Sequence, residues 1–230
     1  MEKLMVANYK MNGNKDFYQK VTKVVNKLRT KDTVVLCPPF VYMSFLKSKK
    51  RNIFVGAQNI TDTINTKSTG EISPQMLKEF GAKFVIAGHS ERRANGETDE
   101  QICKKIKVAQ SCDIVPIVCV GEEGKKSSLD VLVNQVKSSL NQAEKKEIIF
   151  AYEPIWAIGS GEIPTVKQIN KAIQIVKKTA KESGFNVKVL YGGSVNVNNY
   201  KELLTSVADG FLMGGVSNKL DDFVKILKGE

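Results

Sequence analysis

The chain of 230 residues is 42% hydrophobic and carries 35 Lys and Arg against 24 Asp and Glu, a formal net charge of +11. No composition break, linker or low-complexity tract divides it, so a single domain over residues 1–230 is expected. No apolar run approaches the ~20 residues of a membrane span. The opening MEKLMVANYK has no signal-peptide apolar core, so no leader is expected. Cys37, Cys103, Cys112 and Cys119 show neither metal spacing nor the density of a disulfide framework, which fits a reducing cytoplasm.

Along the chain, short apolar runs alternate with helical periods. The first run, residues 4–7, leads through Asn8, Tyr9 and Lys10 to a stretch where Phe17, Val21, Val24, Val25 and Leu28 share a face, as on a helix packed against a sheet. Runs follow at 33–37 and 53–57. Between them, the basic cluster at 47–51 reads as the solvated end of a helix, favoured by the helix dipole. A long connection, opening at Gln58 and closing at Ser73, precedes an N-cap followed by proline, Ser73-Pro74. The fourth run, 84–87, ends in Gly88-His89-Ser90-Glu91, and the fifth is 115–120.

The sixth run opens the most informative segment, IIFAYEPIWAIGSG at 148–161. A buried-strand pattern ends on a carboxylate, Glu153, against Pro154. Ile155, Trp156, Ala157, Ile158, Gly159, Ser160 and Gly161 follow, a short loop with an apolar tip and glycine hinges. A solvated Glu capping a strand is the plainer alternative. The proline, aromatic and paired glycines together favour a general base beneath a closing lid. Thr165 and Gln168 then form a capping box for a helix carrying Ile169, Ala172, Ile173 and Val176. The seventh run, 187–191, ends in Gly192-Gly193-Ser194 and the eighth, 210–213, in Gly214-Gly215. Leu220, Phe223, Val224 and Leu227 mark a last helix.

Eight strands, each followed by a helix, require parallel neighbours joined by crossovers. The length suits a closed (β/α)8 barrel. A doubly wound open sheet is the competing fold, but the turn after the first strand, Asn8-Tyr9-Lys10-Met11-Asn12-Gly13, is not a dinucleotide turn. In a barrel the C-terminal strand ends converge on one mouth, where Asn8, Lys10, His89 and Glu153 would meet. Glycine turns after strands seven and eight leave backbone N–H groups bare for a phosphate dianion. His89 is the single histidine, and a lone histidine is commonly structural. At this mouth, beside a carboxylate, an ammonium and a phosphate site, it fits proton abstraction next to a carbonyl. No metal site and no cofactor are expected, and no Ser or Cys has an evident partner base. Cys119 reads as core. The lysines fall mostly on polar helix faces and no aromatics interleave with them, so solubility and the gathering of a small anion are preferred to nucleic acid or a membrane.

The motifs NYKMNG at 8–13, AQN at 57–59, TGEIS at 69–73, GHSERR at 88–93, CVGE at 119–122, AYEPIWAIGSG at 151–161, YGGSV at 191–195 and GG at 214–215 resemble, in order, those of the triosephosphate isomerase family. The resemblance implies interconversion of dihydroxyacetone phosphate and D-glyceraldehyde 3-phosphate, in glycolysis and gluconeogenesis. It makes Glu153 the base, His89 the electrophile and Lys10 the supporting charge. Asn8 lines the site, and Glu91 orients Lys10. Backbone N–H groups of Gly159, Ser194, Gly214 and Gly215 hold phosphate, and residues 154–161 form the lid. A homodimer through the 58–73 loop follows by the same analogy.

Departures from the family pattern are Tyr9, a turn one residue short after Arg93, a compact stretch at 123–146, and Glu162-Ile163-Pro164 at the far lid hinge. Two other readings remain. One is a phosphate-binding barrel isomerase acting on a phosphoribosyl amine; the other is a basic surface-binding protein retaining the fold.

Overall fold

In the computed structural model, residues 2–65, 67–144, 146–158 and 162–230 are described. Eight parallel strands close in sequential order: β1 (Leu4–Asn8), β2 (Thr33–Cys37), β3 (Ile53–Ala57), β4 (Ala82–Ala87), β5 (Val115–Val120), β6 (Ile149–Tyr152), β7 (Lys188–Tyr191) and β8 (Gly210–Met213). β8 pairs with β1, Leu4 opposite Gly210, so the (β/α)8 barrel is complete. At that seam a side chain on Gly210 would sit 1.9 Å from the Leu4 carbonyl oxygen, so only glycine fits.

Two apolar layers follow from the period of two along each strand. Val6, Val35, Ile86, Ile117, Cys119, Ala151 and Leu190 fill the barrel interior. Alternate residues, among them Met5, Val34, Val85, Val118 and Phe150, face the surrounding helices. These are α1 (Lys15–Lys27), α2 (Pro74–Glu79), α3 (Ser90–Ala94), α4 (Asp99–Ser111), α5 (Asp130–Leu140), α6 (Val166–Glu182), α7 (Tyr200–Leu203) and α8 (Leu220–Lys228). α1 buries Tyr18, Val21 and Val25, and Asn14 caps it through Phe17 N–H. The Thr165–Gln168 capping box forms as expected, and a second one, Thr98–Gln101, starts α4. Ser73 caps α2 with Pro74 in its first turn.

The expectation that every strand is followed by an α-helix fails after β2. There the chain makes a 3₁₀ helix, Phe40–Phe45, rich in aromatic residues and without a side-chain cap. The basic run at 47–51 therefore does not end an α-helix. It is a loop strapped to α1, where Asn26 donates to the Lys47 carbonyl and accepts from the Lys49 N–H, both at 2.8 Å. Strand limits also shift by up to two residues: β4 begins at Ala82, and β6 and β7 each begin one residue late.

Candidate active site

At the C-terminal ends of the strands a cavity of about 290 Å³ is lined by Asn8, Lys10, His89, Glu153, Ile158 and Ser194, with glycines 192, 193, 214 and 215. Every described residue expected at the mouth is therefore brought together. Gly159, Ser160 and Gly161 lie outside the described residues.

Lys10 follows β1 with φ +52, a left-handed conformation uncommon for a residue with a side chain. Its backbone is held on both sides. The Lys10 N–H donates to Asn8 Oδ1 at 3.0 Å, and its carbonyl accepts from Gln58 Nε2 at 2.8 Å. Its ammonium lies 2.5 Å from Glu91 Oε1. Glycine at 214 leaves room for this side chain, since a Cβ there would stand 3.2 Å from Lys10 Cε.

His89 ends the turn after β4 and caps α3. Its Nδ1 accepts the Glu91 N–H at 3.2 Å, which occupies that lone pair and leaves the ring proton of the neutral tautomer on Nε2. Nε2 points at Glu153 Oε1, 3.3 Å away. The other carboxylate oxygen, Oε2, accepts the Ser90 N–H at 2.9 Å. Glu153 is 2% exposed. Its backbone is fixed by a bond from its N–H to the Val120 carbonyl, and two glycines make space around it. A Cβ on Gly121 would meet the Glu153 carbonyl oxygen at 1.7 Å, and one on Gly192 would meet Glu153 Cγ at 2.9 Å. Below the carboxylate lies Cys119, buried as expected. Burial, with the neighbouring Glu153 charge next, raises its thiol pKa well above the ordinary value, so the thiol stays protonated.

The near stem of the expected lid, Pro154 to Ile158, contains a 3₁₀ turn at Ile155–Ala157. Trp156 Nε1 and Tyr152 OH both donate to Glu122 Oε1 at 2.8 Å. Lys125 lies over the Trp156 ring, 5.3 Å from its centroid, and pairs with Glu162 on the far stem at 2.5 Å. On the opposite wall, Gly214 and Gly215 lead into a 3₁₀ helix, Gly215–Asn218, ahead of α8.

Several supporting residues escape a reading of the sequence. Ser90 acts through its own backbone N–H, Gln58 through the Lys10 carbonyl, and Glu122 is recognisable only once its two donors are seen. Lys105 and Glu97 form a buried ion pair behind the His89 turn, in which Glu97 Oε2 also accepts the Gly88 N–H at 3.2 Å. Their spacing of eight residues around a helix start gives no signal of that contact. Among the described residues no group of His, Cys, Asp and Glu has the geometry to hold a metal ion.

A closed barrel whose mouth combines a buried carboxylate, an imidazole, an ammonium and four glycines has the architecture of the barrel isomerases. The comparisons narrow the class. The sequence profile of triosephosphate isomerase matches residues 3–230. The triosephosphate isomerase of Buchnera aphidicola subsp. Cinara cedri is 39% identical over 246 residues, covering 98% of this chain and 97% of that protein. That of Thermoanaerobacter pseudethanolicus is 40% identical, covering 97% and 98%. That of Borrelia garinii subsp. bavariensis is 42% identical, covering 91% and 89%. The chain belongs to the triosephosphate isomerase family.

Proposed function

We propose that this isomerase interconverts dihydroxyacetone phosphate and D-glyceraldehyde 3-phosphate through Glu153, His89 and Lys10. The observation that carries the assignment of residues is the position of the Glu153 carboxylate, 3.3 Å from His89 Nε2 in the cavity that Lys10 also lines.

Glu153 takes a proton from C1 of dihydroxyacetone phosphate, and the electron pair moves onto the C2 oxygen to give an enediolate. His89 Nε2–H, in the same cavity, hydrogen-bonds the carbonyl oxygen and moves a proton between O2 and O1. The Lys10 ammonium offsets the negative charge that develops there. Return of the proton from Glu153 to C2 completes the aldehyde. Backbone N–H groups of Ser194, Gly214 and Gly215 are the phosphate ligands, with Gly159 assigned to the same role from sequence alone. Glu91 and Asn8 are positioning residues for Lys10, one at its ammonium and one at its backbone. The cavity of about 290 Å³ is at the small end of ligand pockets (~300–1,000 Å³), which suits a three-carbon phosphate.

The working unit is a homodimer built through the 58–73 loop. Exposed large apolar side chains support this. Met11 (95% exposed), Val41, Ile64 and Met76 lie in the connections that follow the adjacent strands β1, β2 and β3. A set of this kind marks a surface to be covered, and symmetry makes a second copy its natural partner. The free cysteines suit a reducing cytoplasm, and among the described residues no helix is long and apolar enough to cross a membrane.

A coupled assay of glyceraldehyde 3-phosphate turnover, with phosphoglycolate as an enediolate mimic, tests the reading. Turnover with tight competitive inhibition is expected. A folded chain with no turnover would overturn it.

A further inference from the structure

We infer that the face of the barrel opposite the catalytic mouth carries a binding groove for a linear phosphate polymer, recognised by charge alone. Residues 20–51 hold nine Lys and Arg against one acidic residue, Asp32, a surplus of eight in a chain whose net charge is +11. In sequence only residues 47–51 form a compact basic run; the fold brings the other cations beside it. Lys20, Lys23 and Lys27 recur at helical spacing on exposed positions of α1. The strap from Asn26 holds the loop that bears Lys47, Lys49, Lys50 and Arg51 beside that helix. A second strap, from Asn52 Nδ2 to the Thr30 and Asp32 carbonyls at 3.0 and 2.8 Å, ties the same loop to the turn carrying Arg29 and Lys31.

Between these turns and the end of α8 lies an open cavity of about 680 Å³, lined by Arg29, Lys31, Asp32, Lys50, Tyr200 and Lys228 among others. These segments precede β2 and β3 or end α8, so they sit at the N-terminal strand ends. A ligand there leaves the mouth open. Asp32, the one acid of the turn, is occupied by the Lys3 N–H at 2.9 Å, and Lys228 pairs with Glu230 at 3.3 Å. Among the described residues none of the nine cations has an ion pair, whereas lysines elsewhere do, such as Lys104 with Glu100 and Lys177 with Asp209. Like charges held together by backbone straps repel, and a polyanion would relieve that repulsion and release its own counterions.

The lining also selects the kind of polyanion. Its one aromatic, Tyr200, is 4% exposed and offers no face on which bases stack. Leu28 and Leu227 are buried, so no apolar side chain projects from the groove toward a lipid surface. A condensed phosphate chain, dense in charge and needing no stacking platform, fits these terms.

The test measures binding of inorganic polyphosphate to the purified full chain across a salt series. Two charge-matched triple variants are compared: Arg29→Glu, Lys31→Glu, Lys50→Glu in the groove, and Lys137→Glu, Lys171→Glu, Lys181→Glu on exposed, unpaired positions of α5 and α6. Isomerase activity, unchanged in both, serves as the check on folding. The groove triple is expected to lose at least ~10-fold in affinity with a shallower salt slope, and the control triple much less. Equal losses in both variants would show a net-charge effect and overturn the site. So would absence of binding at physiological salt. Tighter binding of oligouridylate or of anionic phosphatidylserine vesicles than of polyphosphate would overturn the assigned ligand.

Discussion

The Glu153 carboxylate is hydrogen-bonded through Oε2 to the backbone N–H of Ser90 at 2.9 Å. One oxygen of the proposed base is thus held by the first turn of α3, while the other faces His89. A carboxylate anchored in this way reaches a substrate proton only as far as its own side chain extends. The length of the side chain then decides how well it reaches.

Glu153→Asp withdraws the carboxylate by about one methylene, and an error near 1 Å costs on the order of 10²-fold. Steady-state kinetics should show kcat reduced by that order with the Tm little changed. Wild-type turnover in a folded variant would remove Glu153 from the role of base.

His89→Gln keeps an amide donor near the carbonyl but cannot relay a proton, so kcat should fall by ~10²–10⁴-fold. Phosphoglycolate binding should survive, because the glycine turns are untouched. If binding is lost while kcat stands, His89 is a phosphate ligand instead.

The glycines divide into two kinds. A Cβ on Gly192 presses on Glu153 Cγ at 2.9 Å, whereas one on Gly215 meets nothing within 4 Å. Gly192→Ala should therefore lower kcat by displacing the base. Gly215→Ala should leave the Tm intact and raise KM, because the new methyl enters space assigned to phosphate. Equal effects on KM in both variants would refute the division.

Buried acids that stay protonated set an alkaline limit. Burial raises the pKa values of Cys37 and of Cys119, whose second cause is Glu153; desolvation also raises those of Tyr9, Tyr152 and Tyr191. In the unfolded chain thiols titrate near ~8.5 and phenols near ~10. With folded values above unfolded ones, the stabilising contribution is complete below those pH values and is lost as pH rises past them. Thermal melts should be flat in this respect up to about pH 8 and decline above it. Cys112, partly exposed, should react with a thiol reagent in the native state, while Cys37, Cys103 and Cys119 wait for unfolding. Native reactivity of Cys119 would count against the buried, protonated thiol.

The legible parts of this protein were those where chemistry is local. Strand ends carrying Lys10, His89 and Glu153 could be read because a short apolar run that gives way to a loop and a helical period marks where each strand stops. Cap signals such as Ser73-Pro74 and Thr165–Gln168 worked for the same reason. What escaped depends on contacts distant in sequence. Residues 47–51 resemble a helix end, yet their position is set by Asn26, more than twenty residues earlier. Gly121 and Gly192 look like ordinary turn glycines until the Glu153 backbone and side chain are seen against them. The resemblance points to candidate reacting groups, but the holding contacts of Ser90, Gln58 and Glu122 join residues far apart in sequence.

One side chain bridges the two lid stems. Lys125 touches both, through the Trp156 ring and through Glu162, and Pro164 behind Glu162 is buried with its φ fixed by the ring. An exposed ion pair contributes ~0.2–1 kcal/mol and an exposed cation–π contact ~0.5–1 kcal/mol, so together they bias the lid without locking it. Lys125→Met and Glu162→Gln should each change kcat/KM by less than ~10-fold, in the same direction. The double variant should do little more than Lys125→Met alone, because the two charges act as a unit. Pro164→Ala should leave activity within a few-fold and add independently. Gly161 lies outside the described residues; from sequence alone, Gly161→Pro should lower kcat together with KM by restricting a hinge. Fully additive losses from Lys125→Met and Glu162→Gln would mean that the pair does not couple the stems. A severe loss in Pro164→Ala with a mild one in Gly161→Pro would move the hinge to the proline end.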